Sequence, residues 1–284
     1  MNIKELLRRM RKSNFFIAGA VIVTFILFMA LISPLIIVHN PIGMDLSKRL
    51  LAPEFFSKGW NGYIFGADPL GQDILTRLLI GSRMSLMISV VVVAATALLG
   101  TILGVVSGFY GKTVDMVIMR LADIQMSIPP IVLAIAVIAV LGTSITNLIV
   151  VLVITGWPQY TRVVRSNVMV MRNIEFIQAS RALGSSNLRI MFTQVLPNVL
   201  TALIILMSQM FGRIILVEAS MSFLGLGVPL PTPSWGSMIA DGREYLTTAP
   251  WVVIAPGCAL MLAVLGFNFL GDGVRDVLDP KSKH

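Results

Sequence analysis

The chain is poor in the residues that form disulfides, metal centres and soluble surfaces. One of its 284 residues is cysteine and two are histidine, which excludes disulfides and cysteine-based metal sites. Cys258 lies in an apolar run, and His39 and His284 are far apart, so the sequence contains no HExxH metal motif. Charged residues make up 13% of the chain, whereas a soluble domain carries about 25%. The composition therefore argues against a soluble domain and against a bound metal.

Apolar residues are abundant and make up 56% of the chain. A membrane-spanning helix needs about 20 of them in succession, and six runs meet or approach that length. The fourth run is short and is expected to extend toward Tyr160. We predict an all-α membrane protein with six transmembrane helices, in which residues 15–38 form the first and residues 84–271 contain a five-helix core. The six runs are Phe15–Val38, Met84–Phe109, Val117–Leu141, Ile145–Trp157, Asn198–Met221 and Trp251–Leu270.

Basic residues flank these runs and predict the orientation of the chain. Lysine and arginine cluster in residues 1–14 and in the loop 161–197, so we expect both in the cytoplasm. Two predicted spans separate this loop from the tail 272–284, which is therefore expected on the same side. Residues 39–83 and 222–250 then form the two long outer loops. This arrangement accounts for the net charge of +8. Aromatic residues do not alternate with the basic ones, so nucleic-acid binding is not expected.

Short patterns predict local structure at the ends of the runs. In the first outer loop, Asp68 and Asp73 are expected to cap a turn and the start of a short interfacial helix. Arg120 and Asp123 lie one helical turn apart and are expected to pair. The dipeptide Pro129-Pro130 predicts a bend in the third run, or the point where its membrane part begins.

Three glycines in the second run, Gly100, Gly104 and Gly108, are spaced four residues apart. They leave one helix face without side chains, which allows a neighbouring helix to approach closely. Static packing is the simpler interpretation, and a sliding or gating contact is the alternative. The stretch that follows, Gly111 to Thr113, resembles the end of a phosphate-binding loop, but Val106 stands where that loop needs glycine. No nucleotide site is therefore expected in this chain.

Two ionisable residues, Arg213 and Glu218, lie within the fifth run. An ionisable side chain at membrane depth suggests a function in a pathway or gate. The alternative is that Arg213 extends its head group toward the membrane surface. A separation of five residues places the two side chains on different faces of a helix.

The segment Glu175–Pro197 is helical in pattern but is not a membrane span. An apolar stripe of small and large residues predicts one short helix, Gly184 ends it, and a second helix is expected from Leu188 to Pro197. Two short helices joined by a glycine turn would form a compact surface with an exposed alanine-rich face, suited to a protein partner. The stripe consists of Phe176, Ala179, Ala182 and Leu183.

This segment resembles the coupling-loop signature of ABC importer permeases. That signature usually reads Glu-Ala-Ala, three residues, Gly, nine residues, Ile, one residue, Leu-Pro. The spacing matches, but Gln178 stands in place of Glu, Ser180 in place of the second Ala, and Gln194 in place of Ile. These departures are similar to the variant found in the peptide and nickel branch of the family. The matching positions are Gln178, Ala179, Ser180, Gly184, Leu196 and Pro197, with Arg181 within the motif.

Two other stretches resemble the same branch. FGADPLGQDILTRLLIGSRMSL is similar to its outer-loop motif, although Gln72 replaces the typical Arg, and the sequence from Ser222 to Pro280 is similar to that of its C-type permease. The resemblance implies a type I ABC importer permease fold. It also implies pairing with a homologous B-type permease, two cytoplasmic ATPases that hold ATP and Mg²⁺, and an extracytoplasmic solute-binding protein. The chain would then be a noncatalytic, cofactor-free subunit in a bacterial or archaeal inner or plasma membrane, with both termini cytoplasmic.

Three alternatives remain open at this point. Within the same class, the substrate could be nickel, a metal chelate or glutathione in place of di- or oligopeptides. A self-sufficient secondary transporter would show internal repeats and several intramembrane charges, and no repeat is visible. An intramembrane enzyme would need paired aspartates, a Ser–His pair or a metal motif within the spans, and the sequence contains none of these.

Overall fold

The computed structural model describes residues 3–36, 40–54 and 62–278, and it is helical almost throughout. In the described part of the chain, a short N-terminal helix leads into five helices of more than 20 residues, which loops and shorter helices connect. The helices are α1 (Ile3–Lys12), α2 (Asn14–Ile36), α3 (Ile74–Tyr110), α4 (Lys112–Met126), α5 (Pro130–Leu141), α6 (Ile145–Met171), α7 (Glu175–Ala182), α8 (Asn187–Ile190), α9 (Leu196–Phe223), α10 (Trp235–Gly242) and α11 (Trp251–Leu278). The predicted end of the first span at Val38, and the predicted stop at Pro280, lie outside the described residues.

In the described part of the chain, four helical segments are long and apolar enough to cross a membrane, and a bent helix pair is a fifth candidate. The all-helical membrane fold is therefore confirmed, whereas a count of exactly six spans is not. The predicted fourth span, Ile145–Trp157, is helical within α6, but polar residues occupy the second half of that helix. The four segments are Asn14–Leu35, Ile74–Tyr110, Asn187–Phe223 and Trp251–Leu278.

The predicted third span is two helices, α4 and α5, which meet at an angle of 87°. The bend occurs at Ser127–Pro129, and Pro130 is the first residue of α5. Proline is well suited to this position because the first N–H groups of a helix have no intrahelical acceptor. The predicted bend at Pro129-Pro130 is confirmed, and Val117–Leu141 is a broken helix pair that remains a candidate span.

Helices α3 and α6 pack closely against each other through the three regularly spaced glycines. A Cβ atom built on Gly104 would lie 2.7 Å from Val164 Cβ and 2.8 Å from the Thr161 carbonyl oxygen. Gly100 and Gly108 lie equally close to α6, so any side chain at these positions would separate the two helices. The predicted close helix contact is confirmed, and its partner is α6. Tyr160, Val164 and Val168 contribute to the buried core on the α6 side of this contact.

The predicted interfacial helix, which begins at Ile74, is not separate from the second span, and this corrects the prediction. Asp73 does cap a helix, since its carboxylate accepts a hydrogen bond of 3.0 Å from the Thr76 amide, but that helix is α3, which continues without a break to Tyr110. Its first turns are largely buried beneath α10, where the Trp235 indole donates to the Leu78 carbonyl oxygen over 3.1 Å. The outer loop 222–250 folds back onto the helices, as predicted.

The predicted pair of Arg120 with Asp123 is wrong. The Asp123 carboxylate accepts a hydrogen bond of 2.5 Å from Arg162 on α6. Arg120 is exposed. Asp123 reaches α6 because α4 packs against that helix, and this contact links residues 39 positions apart in the sequence.

Candidate functional site

The helix–turn–helix loop, defined here as residues 175–197, has the local structure predicted from its sequence. Helix α7 ends at Ala182, and Gly184 adopts φ = +82°, a backbone conformation that L-residues rarely adopt. Ser186 caps α8, because its hydroxyl accepts a hydrogen bond of 3.3 Å from the Arg189 amide. The chain therefore reverses direction at Gly184 and presents two short helices side by side.

Two isoleucines anchor the loop to the helix bundle. Ile177 on α7 and Ile190 on α8 are fully buried and belong to the same apolar cluster as Val195 and Val199. Sequence reasoning missed Ile177, because the apolar stripe was assigned to the opposite face of α7. These anchors give the loop a defined orientation relative to α3 and α6.

The opposite face of the loop exposes large apolar side chains. Leu183 is 87% exposed, Phe192 67% and Leu188 61%, although all three are apolar. The predicted stripe residues Phe176, Ala179, Ala182 and Leu183 are all exposed. A contiguous apolar surface of this kind, next to charged residues, is typical of a protein interaction site.

Polar side chains brace the loop internally. Gln178 Nε2 donates a hydrogen bond of 3.1 Å to the Asn173 carbonyl oxygen, which closes the turn before α7. Gln194 Nε2 donates to Ser180 Oγ over 2.8 Å. The Arg181 guanidinium lies 5.3 Å from the centre of the Phe109 ring, at the end of α3. Three motif residues, Gln178, Ser180 and Arg181, thus make contacts within the chain.

Leu196 and Pro197 lie where the loop joins the long helix α9. We expected Pro197 to separate the second loop helix from the span, but the chain stays helical from Asn187 to Phe223. A wide turn at Met191–Val195 makes this possible: the Leu196 amide donates to the carbonyl oxygen five residues earlier. The irregular turn lies just before Pro197, whose nitrogen has no hydrogen to donate. Helix α8 is therefore continuous with α9.

Arg213 and Glu218 lie on different faces of α9, as their spacing predicts. Glu218 is fully buried and its Oε1 accepts a hydrogen bond of 2.8 Å from Ser222 Oγ. Arg213 is exposed on this chain and donates to Gln159 Oε1 on α6 over 2.9 Å. The structure thus brings Arg213 to a cavity between α6 and α9 and leaves Glu218 outside it.

A buried charge cluster in the first outer loop was not predicted. The Arg77 guanidinium is buried, lies 2.5 Å from Asp68 Oδ2, and also contacts Gln72. On α10, Asp241 approaches the same guanidinium at 3.3 Å. Partial desolvation raises the pKa of Asp241, and the nearby Arg77 charge opposes that shift. The sequence carries no short-range signal for this cluster, because 164 positions separate Arg77 from Asp241.

The fold of the chain is that of a membrane subunit of an ABC importer. The structure is similar to an inward-facing conformation of the MetNI methionine ABC transporter, with a TM-score of 0.55 and 22% sequence identity. The match covers 70% of this chain and 95% of that one. At this level of identity the likeness establishes the fold.

The chain belongs to the family of binding-protein-dependent transport system inner membrane components, whose model matches residues 100–284. Residues 3–53 match the N-terminal transmembrane domain of oligopeptide transport permease C. The dipeptide transport system permease protein DppC of Alkalihalophilus pseudofirmus is 41% identical over 99% of this chain and 90% of its own length. The glutathione transport system permease protein GsiD of Pectobacterium atrosepticum is 40% identical over 77% of this chain and 72% of its own length. The predicted membership of the C-type permeases is thus confirmed.

Proposed function

We propose that this chain is a permease subunit of an ATP-driven importer of di- or oligopeptides. It would form half of the translocation path, and a homologous B-type permease would form the other half. The names of the relatives support the substrate class, since similarity to a dipeptide permease extends over 99% of this chain. An extracytoplasmic solute-binding protein would deliver the peptide.

The exposed apolar face of the helix–turn–helix loop is the observation that carries the proposal. Leu183 is 87% exposed, and removing this apolar side chain from water by contact with a partner would be favourable. Ile177 is fully buried and anchors the loop on the opposite face. We assign this face to a groove on one cytoplasmic ATPase. Ala179 lets that partner approach closely, and Gly184 shapes the turn between the helices.

The remaining motif residues would transmit the movement of the ATPase. Contacts within the chain hold α7 in place, and they are made by Gln178, Ser180 and Arg181. A displacement of the loop by the ATPase would therefore move α7 together with its neighbours. Leu196 and Pro197 lie in the continuous helix that joins the loop to α9. A rotation of the loop would therefore move the membrane-embedded part of α9 as a rigid body.

ATP and Mg²⁺ would be held by two ATPase subunits, and this chain would perform no catalysis and hold no cofactor. The positive flanks support a cytoplasmic position for the loop 161–197 and for both termini. Residues 39–83 and 222–250 would face the binding protein. ATP binding would then close the ATPase pair and switch the permeases between inward-facing and outward-facing states.

The complete transporter reconstituted in liposomes tests this proposal. We expect Ala179→Asp and Leu183→Asp to insert normally but to abolish peptide uptake, because each places a charge in the ATPase contact. The matched control is Asn14→Asp, which places the same carboxylate on an exposed residue of the cytoplasmic segment 1–14, outside the loop, and should leave uptake unchanged. Normal ATP-dependent uptake by both loop variants would refute the coupling role.

Glutathione or a metal chelate is the second candidate substrate, because the glutathione permease of Pectobacterium is 40% identical to this chain. Calorimetry of the partner binding protein with dipeptides, glutathione and nickel chelates decides between them. Heat from dipeptides alone supports the first candidate, and heat from glutathione or chelates alone would replace it.

A further inference from the structure

A small cavity lies in the membrane-depth part of the molecule, where α3, α5, α6 and α9 meet. It has a volume of about 60 Å³, which accommodates a few water molecules or one small polar group. Asp and Glu are absent from its lining residues. The walls are Val93 and Thr96 on α3, Pro130 on α5, Leu152, Thr155, Gly156, Gln159 and Tyr160 on α6, and Met210, Arg213, Ile214 and Val217 on α9.

Arg213 supplies a positive charge to this cavity. Among the described residues its only polar contact is the 2.9 Å hydrogen bond to Gln159 Oε1, and it has no carboxylate partner there. Arg213 lies ten residues before the end of α9, about 15 Å along the helix axis. This distance is about half of the hydrocarbon thickness of a bilayer. A guanidinium at membrane depth is stabilised by pairing with an anion, and the exposure of Arg213 on this chain leaves it accessible to one.

Tyr160 adds an independent signal for a ligand. The side chain is 2% exposed, yet its hydroxyl has no hydrogen-bond partner in the described part of the chain. A buried hydroxyl without a partner costs about 1–3 kcal/mol, and a hydrogen-bond acceptor bound in the cavity would offset that cost. Because Tyr160 lines the same cavity as Arg213, one ligand could satisfy both groups.

The broken helix contributes a third group of donors. Pro130 begins α5 at the 87° bend and lines the cavity, and Pro129 provides no side-chain cap. The first amides of a helix have no intrahelical acceptor, and the aligned peptide dipoles favour a negative charge at this end. Half-helix N-termini at the midplane of transporters bind anionic substrate groups in this way.

From these three observations we infer that the cavity is a transient binding site for a carboxylate group on the transported solute. The peptide class of substrate, on which this inference rests through the proposed function, carries such a group at its C-terminus. Arg213 would pair with the carboxylate, the Tyr160 hydroxyl would donate to it, and the start of α5 would complete the site. The volume admits the carboxylate alone, so the rest of the peptide would lie beside the partner permease.

Ligand-observed NMR on the purified permease–ATPase complex, without the binding protein, tests the site with dialanine and its C-terminal amide. We expect the wild-type complex to bind the acid about tenfold more tightly than the amide, as loss of a charge-assisted hydrogen bond predicts. Arg213→Gln should bring the ratio of the affinities for the acid and the amide close to one, and Tyr160→Phe should lower this ratio severalfold. Arg162→Gln, which changes an exposed arginine on the same helix as Tyr160, should leave it unchanged.

Equal affinities of the wild-type complex for dialanine and for its amide would overturn the inference. If Arg213→Gln separates the permeases and Tyr160→Phe leaves the ratio unchanged, the anion partner of Arg213 is a carboxylate of the other permease, and the inference is also wrong. Uptake of dialanine by the wild-type transporter tests the proposed function separately. Absence of uptake, with the acid preference intact, would refute peptide import and leave the carboxylate site standing.

Discussion

Gln194 and Ser180 are hydrogen-bonded to each other, with 2.8 Å between Nε2 and Oγ. These are two of the three positions at which the loop departs from the usual coupling-loop signature, where Ile and Ala are found. The contact joins the wide turn before α9 to the middle of α7, which are 14 positions apart. Two polar replacements thus form one interaction, and the loop keeps its shape without the usual apolar pair.

The Ser180–Gln194 contact predicts unequal effects of single substitutions. Ser180→Ala should destabilise the protein by about 1 kcal/mol, because the buried Gln194 amide loses its acceptor. Gln194→Leu should cost less, because it also removes Gln194 Oε1, which is buried without a partner. Thermal unfolding of the purified protein measures both. A cost of Ser180→Ala that is undiminished in the Gln194→Leu background would contradict the coupling.

Gly184 and Gly257 should respond in opposite directions to alanine. Neither position has any atom within 4 Å of an added Cβ, so crowding plays no part in the comparison. Gly184 has φ = +82°, and alanine there should cost about 1 kcal/mol through backbone strain. Gly257 lies inside α11, where alanine should stabilise by up to about 1 kcal/mol. Melting temperatures check both, and equal shifts would rule out strain at Gly184.

Two glycines at the contact of α3 and α6, Gly156 and Gly104, differ in whether a second substitution can remove the crowding that alanine would cause. Gly156→Ala would place its Cβ 2.9 Å from Thr96 Cγ2, a side-chain atom that Thr96→Ser removes. Gly104→Ala would lie 2.8 Å from the Thr161 carbonyl oxygen, which no side-chain change removes. We expect each single variant to lose about 1–3 kcal/mol. Adding Thr96→Ser should restore the stability of Gly156→Ala but not that of Gly104→Ala, as unfolding curves would show.

Asp241 predicts a pH dependence of stability in the outer loop. Its pKa in the folded protein is raised above the ordinary value of 3.8 by desolvation, against the opposing effect of Arg77. The folded state therefore favours the protonated carboxyl, and this contribution is complete below pH 3.8 and is lost as the pH rises through the raised pKa. Asp241→Asn removes it. The melting temperature of the wild type should fall relative to that of Asp241→Asn as the pH rises, and parallel profiles would disprove the assignment.

Local features of this protein could be read from the residues alone because they depend on neighbours in the sequence. The bend at Pro129-Pro130 follows from a missing N–H and a fixed φ angle, and the turn at Gly184 follows from a positive φ. The caps at Asp73 and Ser186 rest on contacts three residues long. The motif spacing in the loop predicted the family in combination with the outer-loop stretch and the sequence from Ser222 to Pro280.

Contacts between distant segments could not be read in that way. The burial of Ile177, the pairing of Asp123 with Arg162, and the approach of Asp241 to Arg77 depend on how the helices pack. The cavity beside Arg213 is formed by four helices, and the sequence shows that arginine only as an isolated charge in an apolar run. Chain-local hydrogen bonding and steric limits determine where helices begin, bend and end, whereas side-chain partners at membrane depth are set by the mutual arrangement of helices far apart in the chain.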